Sequence, residues 1–202
     1  MHSHQSLILF VFIVGVMGCA RIPTQEMSDA RQAIQAARDV EAEYYVPTIW
    51  AKAEQNLRLA EKNLETGKLN DAGLVAILAK QQAVNAHAMA IAVKRAQEIW
   101  QTIWSINHSA DNGYELLKKI QFAIRQGDFH NTIAFAETAY IQGKQVLNQI
   151  YLDKTKVLLD KIHLVSLNPE EVAKIKLAQM AHYRQEGKKA YDLVTSIYQK
   201  LL

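Results

Sequence analysis

The 202-residue chain holds one cysteine, Cys19, which excludes an intramolecular disulfide and any cysteine-cluster zinc site. Histidine is the next residue type that could do chemistry. Beyond the first eighteen residues these are His87, His108, His130, His163 and His182. None has a second His or Cys at ligand spacing, and no His-Glu-x-x-His occurs. Ser, His and Asp are all present, but a Gly-x-Ser-x-Gly elbow is not. The eight glycines are scattered rather than gathered into a phosphate-cradling loop. Glu170-Glu171 is an acidic pair that a helix N-terminus explains through its dipole. Asp39, Glu41 and Glu43 fall on different faces of one helix, interleaved with Arg38. These patterns predict no catalytic residue, no metal ligand and no cofactor, hence a protein that is not an enzyme.

Two further features could bind rather than react. Trp100 and Trp104 are four residues apart and share a helix face. Such a pair is either core packing or an apolar patch for a partner helix or peptide. The net charge of +3 is too balanced for a nucleic-acid binder. The basic excess sits in residues 111–202, as in Lys118, Lys119, Lys154, Lys174 and Lys188. That excess reads as a solvated lysine-rich face, or as a surface for anionic wall polymer or lipid headgroups.

The setting of Cys19 gives it a role. Leu7–Val16 (LILFVFIVGV) is apolar and uncharged, and at ten residues it is too short to span a bilayer of about 30 Å. It suits the apolar region of a signal peptide. The ending Val16-Met17-Gly18-Cys19 resembles a bacterial lipobox, in which the cysteine is lipidated on sulfur and becomes the mature N-terminus. Met17 and an N-terminal MHSHQS without Lys or Arg depart from the usual pattern. Ala20 after the cysteine, where an Asp would resemble an inner-membrane retention signal, favours the outer membrane.

What must position these residues is helical. Low Gly and Pro (8 and 3) argue against a turn-rich β fold, and no stretch alternates with period two. Met27, Ala30, Ile34, Ala37 and Tyr44 predict one stripe of a first helix. Pro47 restarts the chain as a second helix that ends at Gly67. A third begins near Asn70 or Asp71 and carries Ala72, Ala76, Ala79, Ala83, Ala86, Ala90 and Val93 in four-three alternation. That seam lets a neighbouring helix approach closely. Residues 107–113 (NHSADNG) read as a hinge, Tyr114–Gln126 as a fourth helix and Asp128 as the cap of a fifth. Asn168-Pro169-Glu170-Glu171 is a strong helix start.

An internal repeat underlies the pattern. Leu57, Ala60, Leu64, Gly67, Leu69, Ala76 and Ala79 match Leu117, Ile120, Ile124, Gly127, Phe129, Ala136 and Ala139 at a constant offset of 60. Each unit is a helix, a Gly turn and a longer helix, in part tetratricopeptide-like. Gly187 lies a further 60 on, but its flanks fit poorly and it reads as coincidence.

Together the lipobox, Met27-x-x-Ala30, Ala33-Ile34-x-x-Ala37, Tyr45-Val46-Pro47, Ala53-x-x-x-Leu57-x-x-Ala60 and Ala79-x-x-x-Ala83-x-x-Ala86 resemble an uncharacterised helical lipoprotein family of bacterial envelopes. The resemblance covers roughly residues 24–97. It implies an Ala-rich three-helix segment, in some members followed by an OmpA-like domain that this chain lacks.

The expectation is an all-α protein, an elongated antiparallel bundle of long helical hairpins. Residues 1–18 are the signal peptide, 19–25 the lipidated tether, 26–106 an Ala-rich three-helix segment, 107–113 a hinge and 114–202 a second helical segment. The expected function is a non-enzymatic scaffold or adaptor for envelope proteins. Its partners are the outer membrane, through the Cys19 anchor on the periplasmic face, and envelope proteins, with no nucleic acid. The alternative is a module that binds peptidoglycan or a ligand through the basic distal half.

Overall fold

The computed structural model describes residues 22–107, 112–162 and 167–201. Cys19, His108 and His163 lie outside them. Among the described residues the regular structure is entirely helical, so the chain is an all-α protein. The helices are α1 (Thr24–Asp39), α2 (Ala42–Tyr45), α3 (Pro47–Glu65), α4 (Leu69–Ile106), α5 (Asn112–Gln126), α6 (Phe129–Ile162), α7 (Pro169–Tyr183) and α8 (Gly187–Leu201).

Three helix pairs share one turn chemistry. After α3, Gly67 takes φ +73°, its N–H donates to Leu64 O, and Lys68 N–H donates to Asn63 O at 2.9 Å. After α5, Gly127 takes φ +68°, with Asp128 N–H on Ala123 O at 3.0 Å. Both are Schellman closures, which satisfy the last carbonyls of one helix while turning the chain into the next. After α7 the same pair of bonds recurs around Gln185, φ +61°, with Glu186 N–H on Ala181 O at 2.9 Å.

The repeat therefore has a third unit, centred on Gln185 and not on Gly187. It is offset by 58 residues from the second, so a search at 60 passes over it. In the new register the buried Ala190, Val194 and Ile197 take the places of Thr132, Ala136 and Ala139, and of Ala72, Ala76 and Ala79. A left-handed glutamine is strained where glycine is not. Gln185→Gly is accordingly expected to stabilise the distal hairpin by about 1 kcal/mol, read from the midpoint of urea unfolding.

The helices stack by unit. α3, α5 and α7 lie antiparallel against α4, α6 and α8, while α1, α4, α6 and α8 form a row. The row runs in one direction. Asp29 pairs with Lys80 and Glu41 with Lys94 between the first two segments, Trp100 meets Ala139 between α4 and α6, and Asn148 meets Gly187 between α6 and α8. Every member of the α4 alanine seam, from Ala72 to Val93, is buried. Small side chains there let α1 and α3 close on α4 with little entropy cost. The two buried threonines, Thr132 and Thr155, donate to the carbonyls of Asp128 and Tyr151, so neither hydroxyl is orphaned.

Several expectations shift. The first helix stops at Asp39 because Glu41 turns left-handed at φ 61°, and the short α2 follows. That break rotates Tyr44 outward to 77% exposure, off the buried stripe, while Tyr45 packs against the core. α4 starts at Leu69 with Lys68 at its cap position, one or two residues before Asn70 and Asp71, because the Schellman closure sets the start. Asn112 and Gly113 belong to α5 rather than to a loop. The restart at Pro47, and the cap in which Asn168 accepts from Glu171 N–H while Glu171 accepts from Asn168 N–H, are as expected.

Candidate functional site

The tryptophan pair divides. Trp100 is only 1% exposed, and its indole N–H donates to the Ala139 carbonyl at 2.9 Å. Its ring lies between two helical glycines. A Cβ built on Gly113 of α5 would sit 2.1 Å from Trp100 Cε3, and one on Gly143 of α6 3.3 Å from Trp100 Nε1. No side chain fits at Gly113 while the ring stays. Trp100 is thus the joint between α4 and the second hairpin and presents no surface to a partner. Trp104 is half-buried beside it, with ring centroids 6.2 Å apart.

The histidines remain separate. His87 is half-buried on α4, His130 sits exposed in the first turn of α6 against the Phe129 ring, and His182 lies in the last turn of α7. Among the described residues no three His, Cys, Asp or Glu side chains come together to hold a metal ion. No helix among them is long and apolar enough to cross a membrane.

An open groove of about 440 Å³ lies between α5 and α6. Phe122 and Phe135 supply its apolar lining, and Lys118, Lys119, Glu115 and Asp128 its polar rim. Much of that charge is already used. Lys118 pairs with Glu115 at 2.9 Å, and Asp128 accepts from the Asn131 amide N–H at 3.0 Å as the cap of α6. The groove can therefore hold an apolar side chain, but it has no aligned acid, base or nucleophile. Sequence reading missed it because Phe122 and Phe135 belong to different helices, and only the hairpin brings them together.

Carboxylates anchor the surface electrostatics. The Asn131 N–H holds Asp128 below the usual carboxylate range, and Lys80, Lys174 and Lys189 do the same for Asp29, Glu170 and Glu186. A depressed folded-state pKa means the stabilisation is complete above the ordinary carboxylate value near 4 and is lost as pH falls through the lower folded values. Helicity followed by circular dichroism is expected to hold down to about pH 4 and to fall below it. Added salt should shift this loss little at Asp128, whose partner is a backbone amide, and more at the exposed lysine pairs.

No curated protein and no solved structure matches the chain. Residues 25–101, from α1 to within two turns of the end of α4, match the model of an uncharacterised family described as Domain of unknown function (DUF4398).

Proposed function

We propose that the chain is a lipoprotein anchored through Cys19 to the periplasmic face of the outer membrane, acting there as a non-enzymatic scaffold or adaptor for envelope proteins. The observation that carries the address is the apolar run Leu7–Val16 closed by Val16-Met17-Gly18-Cys19. α1 begins at Thr24, five residues on, which at about 3.5 Å each holds the start of α1 within about 18 Å of the acylated residue. Several acyl chains, each CH₂ contributing about 0.8 kcal/mol on burial, make such an anchor stable. Stacked hairpins then present long helix faces and an open groove to neighbouring proteins, which is what an adaptor requires.

The wall-binding alternative draws on the distal lysines. Lys118, Lys174, Lys188 and Lys189 each lie within 3.0 Å of an acid three or four residues away. That local pairing takes up part of the basic charge of the distal half.

Mass spectrometry of the native chain tests the address. The expected polypeptide begins at Cys19 and carries acyl mass that Cys19→Ala lacks; a chain starting at Met1 with a free thiol overturns it. Crosslinking in intact cells is expected to recover defined envelope proteins. Retention on purified peptidoglycan that falls with salt, without any such protein adduct, supports the wall-binding reading instead.

A further inference from the structure

The third hairpin lies against α6 along two matched lines of residues. Tyr151, Lys154, Leu158 and Lys161 of α6 follow in steps of three, four and three, and so do Lys188, Tyr191, Thr195 and Tyr198 of α8. The lines meet in order. Lys188 lies over the Tyr151 ring at 5.9 Å, the Tyr151 and Tyr191 rings are 5.4 Å apart, and Lys161 lies over the Tyr198 ring at 5.8 Å. An open groove of about 320 Å³ lies between them, lined by Asp153, Lys154, Val157, Leu158 and Tyr191. The three rings are half-buried and the three lysines exposed. From Tyr151 to Lys161 the ladder is about 15 Å long.

The repeat supplies an internal control. At the offset of 58, Tyr198 stands where α6 has Tyr140, and Thr195 where α6 has Glu137. In the seam of α4 with α6, Arg95 lies over the Tyr140 ring at 4.1 Å and pairs with Glu137 at 3.6 Å, so the cation is neutralised in place. The α6–α8 seam keeps a ring and a cation and drops the acid. Among the described residues Lys154 and Lys161 have no acid at ion-pair distance, while Lys188 pairs with Asp192 at 3.0 Å. Asp153, the acid in the groove, accepts instead from the Gln149 amide at 2.9 Å. Two unpaired cations therefore stand beside tyrosine rings in one groove, an arrangement that the first seam shows helix packing does not require.

We infer that this groove binds an acidic glycan strand, the chemistry of a cell-wall polymer. Tyrosine offers a flat apolar face with a polar tip, on which a sugar ring lays its C–H face while its hydroxyls meet water and the phenol oxygen. Lysine is a compact point charge, which takes a carboxylate without demanding one geometry. Rings and unpaired lysines interleaved along about 15 Å match a strand whose sugars carry carboxylates at intervals. The groove is open along its length, which suits a polymer that passes through and not a small molecule that must be enclosed. Its place in the fold agrees. α6 starts level with about His87 of α4, and α8 level with Asn148 of α6, so the hairpins climb away from the end where α1 begins. The groove and the start of α1 are therefore roughly 50 Å apart along the helix axes. The choice of polymer rests on the proposed envelope address, and the contact is additional to the adaptor role.

Co-sedimentation of the detergent-solubilised full chain with purified peptidoglycan tests this. The chain is expected to sediment, and Lys154→Glu with Lys161→Glu, both exposed, to weaken retention at least tenfold. Lys119→Glu with Lys176→Glu, the same charge change outside the groove, should alter it less than twofold. Tyr191→Ala should weaken it at least fivefold with no change of charge, and Tyr191→Phe should retain it. Circular dichroism checks that each variant keeps its helicity; the exposed lysine variants decide the matter if Tyr191→Ala does not. A chain that stays in solution overturns the proposal. So do equal losses for the two lysine pairs, which would mean undirected attraction to a polyanion, or a folded Tyr191→Ala that binds as before. Poly-glutamate that displaces the chain as well as soluble wall fragments do would assign the groove to an acidic protein segment and also overturn it. Lysine variants that lose phosphatidylglycerol vesicles but keep peptidoglycan would assign it to lipid. Failure of the Cys19 mass test would leave these binding outcomes untouched.

Discussion

Trp100→Ala is expected to lower the free energy of unfolding by about 3–5 kcal/mol, the range for removing a fully buried tryptophan. The ring contacts three helices: its own α4, α5 at Gly113, and α6 at Gly143 and the Ala139 carbonyl. Its loss leaves a cavity at the joint of the first two hairpins, where packed helices cannot close without moving each other. Small domains rarely hold more than about 15 kcal/mol in total, so the change is a large share of stability. The measurement is a urea melt, with the midpoint shifted and the slope retained. Trp104→Ala, at a half-buried ring, is expected to cost less than half as much. Equal losses at the two positions would contradict the assignment of Trp100 as the joint.

Gly113→Ala is the second large effect, and its sign depends on Trp100. Alanine is the better helix former by up to about 1 kcal/mol, with less advantage near a helix start such as this one. Against that, the new methyl would sit 2.1 Å from Trp100 Cε3 and 2.3 Å from Cδ2, atoms of a rigid ring with no space to retreat. Overpacking of this kind costs about 1–3 kcal/mol or more, so the clash wins and a net loss of about 2 kcal/mol is expected. With Trp100→Ala already in place the clash is gone, and Gly113→Ala should be neutral or slightly stabilising. A double-mutant cycle reads the difference as a coupling energy of about 2 kcal/mol. Additive losses would mean that Gly113 and the ring do not meet. Gly143→Ala presses chiefly on Ile99 at 2.7 Å, a side chain that can change rotamer, and should cost less.

The alanine seam, the restart at Pro47, the cap at Asn168 and the turns at Gly67 and Gly127 were legible in the sequence for one reason. Each depends on residues within a turn or two of chain, where side-chain type and backbone preference act directly. The break at Glu41 and the turn at Gln185 were not, because both put a non-glycine residue at positive φ. Local propensity argues against that choice, and packing outweighs it. The third repeat unit was hidden the same way: its turn residue is a glutamine and its spacing is 58, while its buried positions follow the pattern of the other two.

The candidate surfaces divide along the same line. Spacing placed Trp100 and Trp104 on one face of α4, but a helix has no knowledge of its neighbours. Only the arrival of α5 and α6 decided that the first ring is enclosed and the second half-covered. Leu74, Ile77, Leu78 and Val84 were equally present in the sequence, as apolar residues of α4 outside the alanine seam. What leaves them exposed is that α6 begins too late to cover them, a matter of helix register between repeats. From the chain alone come the helical class, the hairpin repeat and the lipobox-like ending at Cys19, since composition, periodicity and a contiguous motif are local. The tertiary structure alone decides which apolar residues are spent on the core and which stay exposed. Burial depends on the relative position of helices separated by tens of residues, and no single helix specifies that.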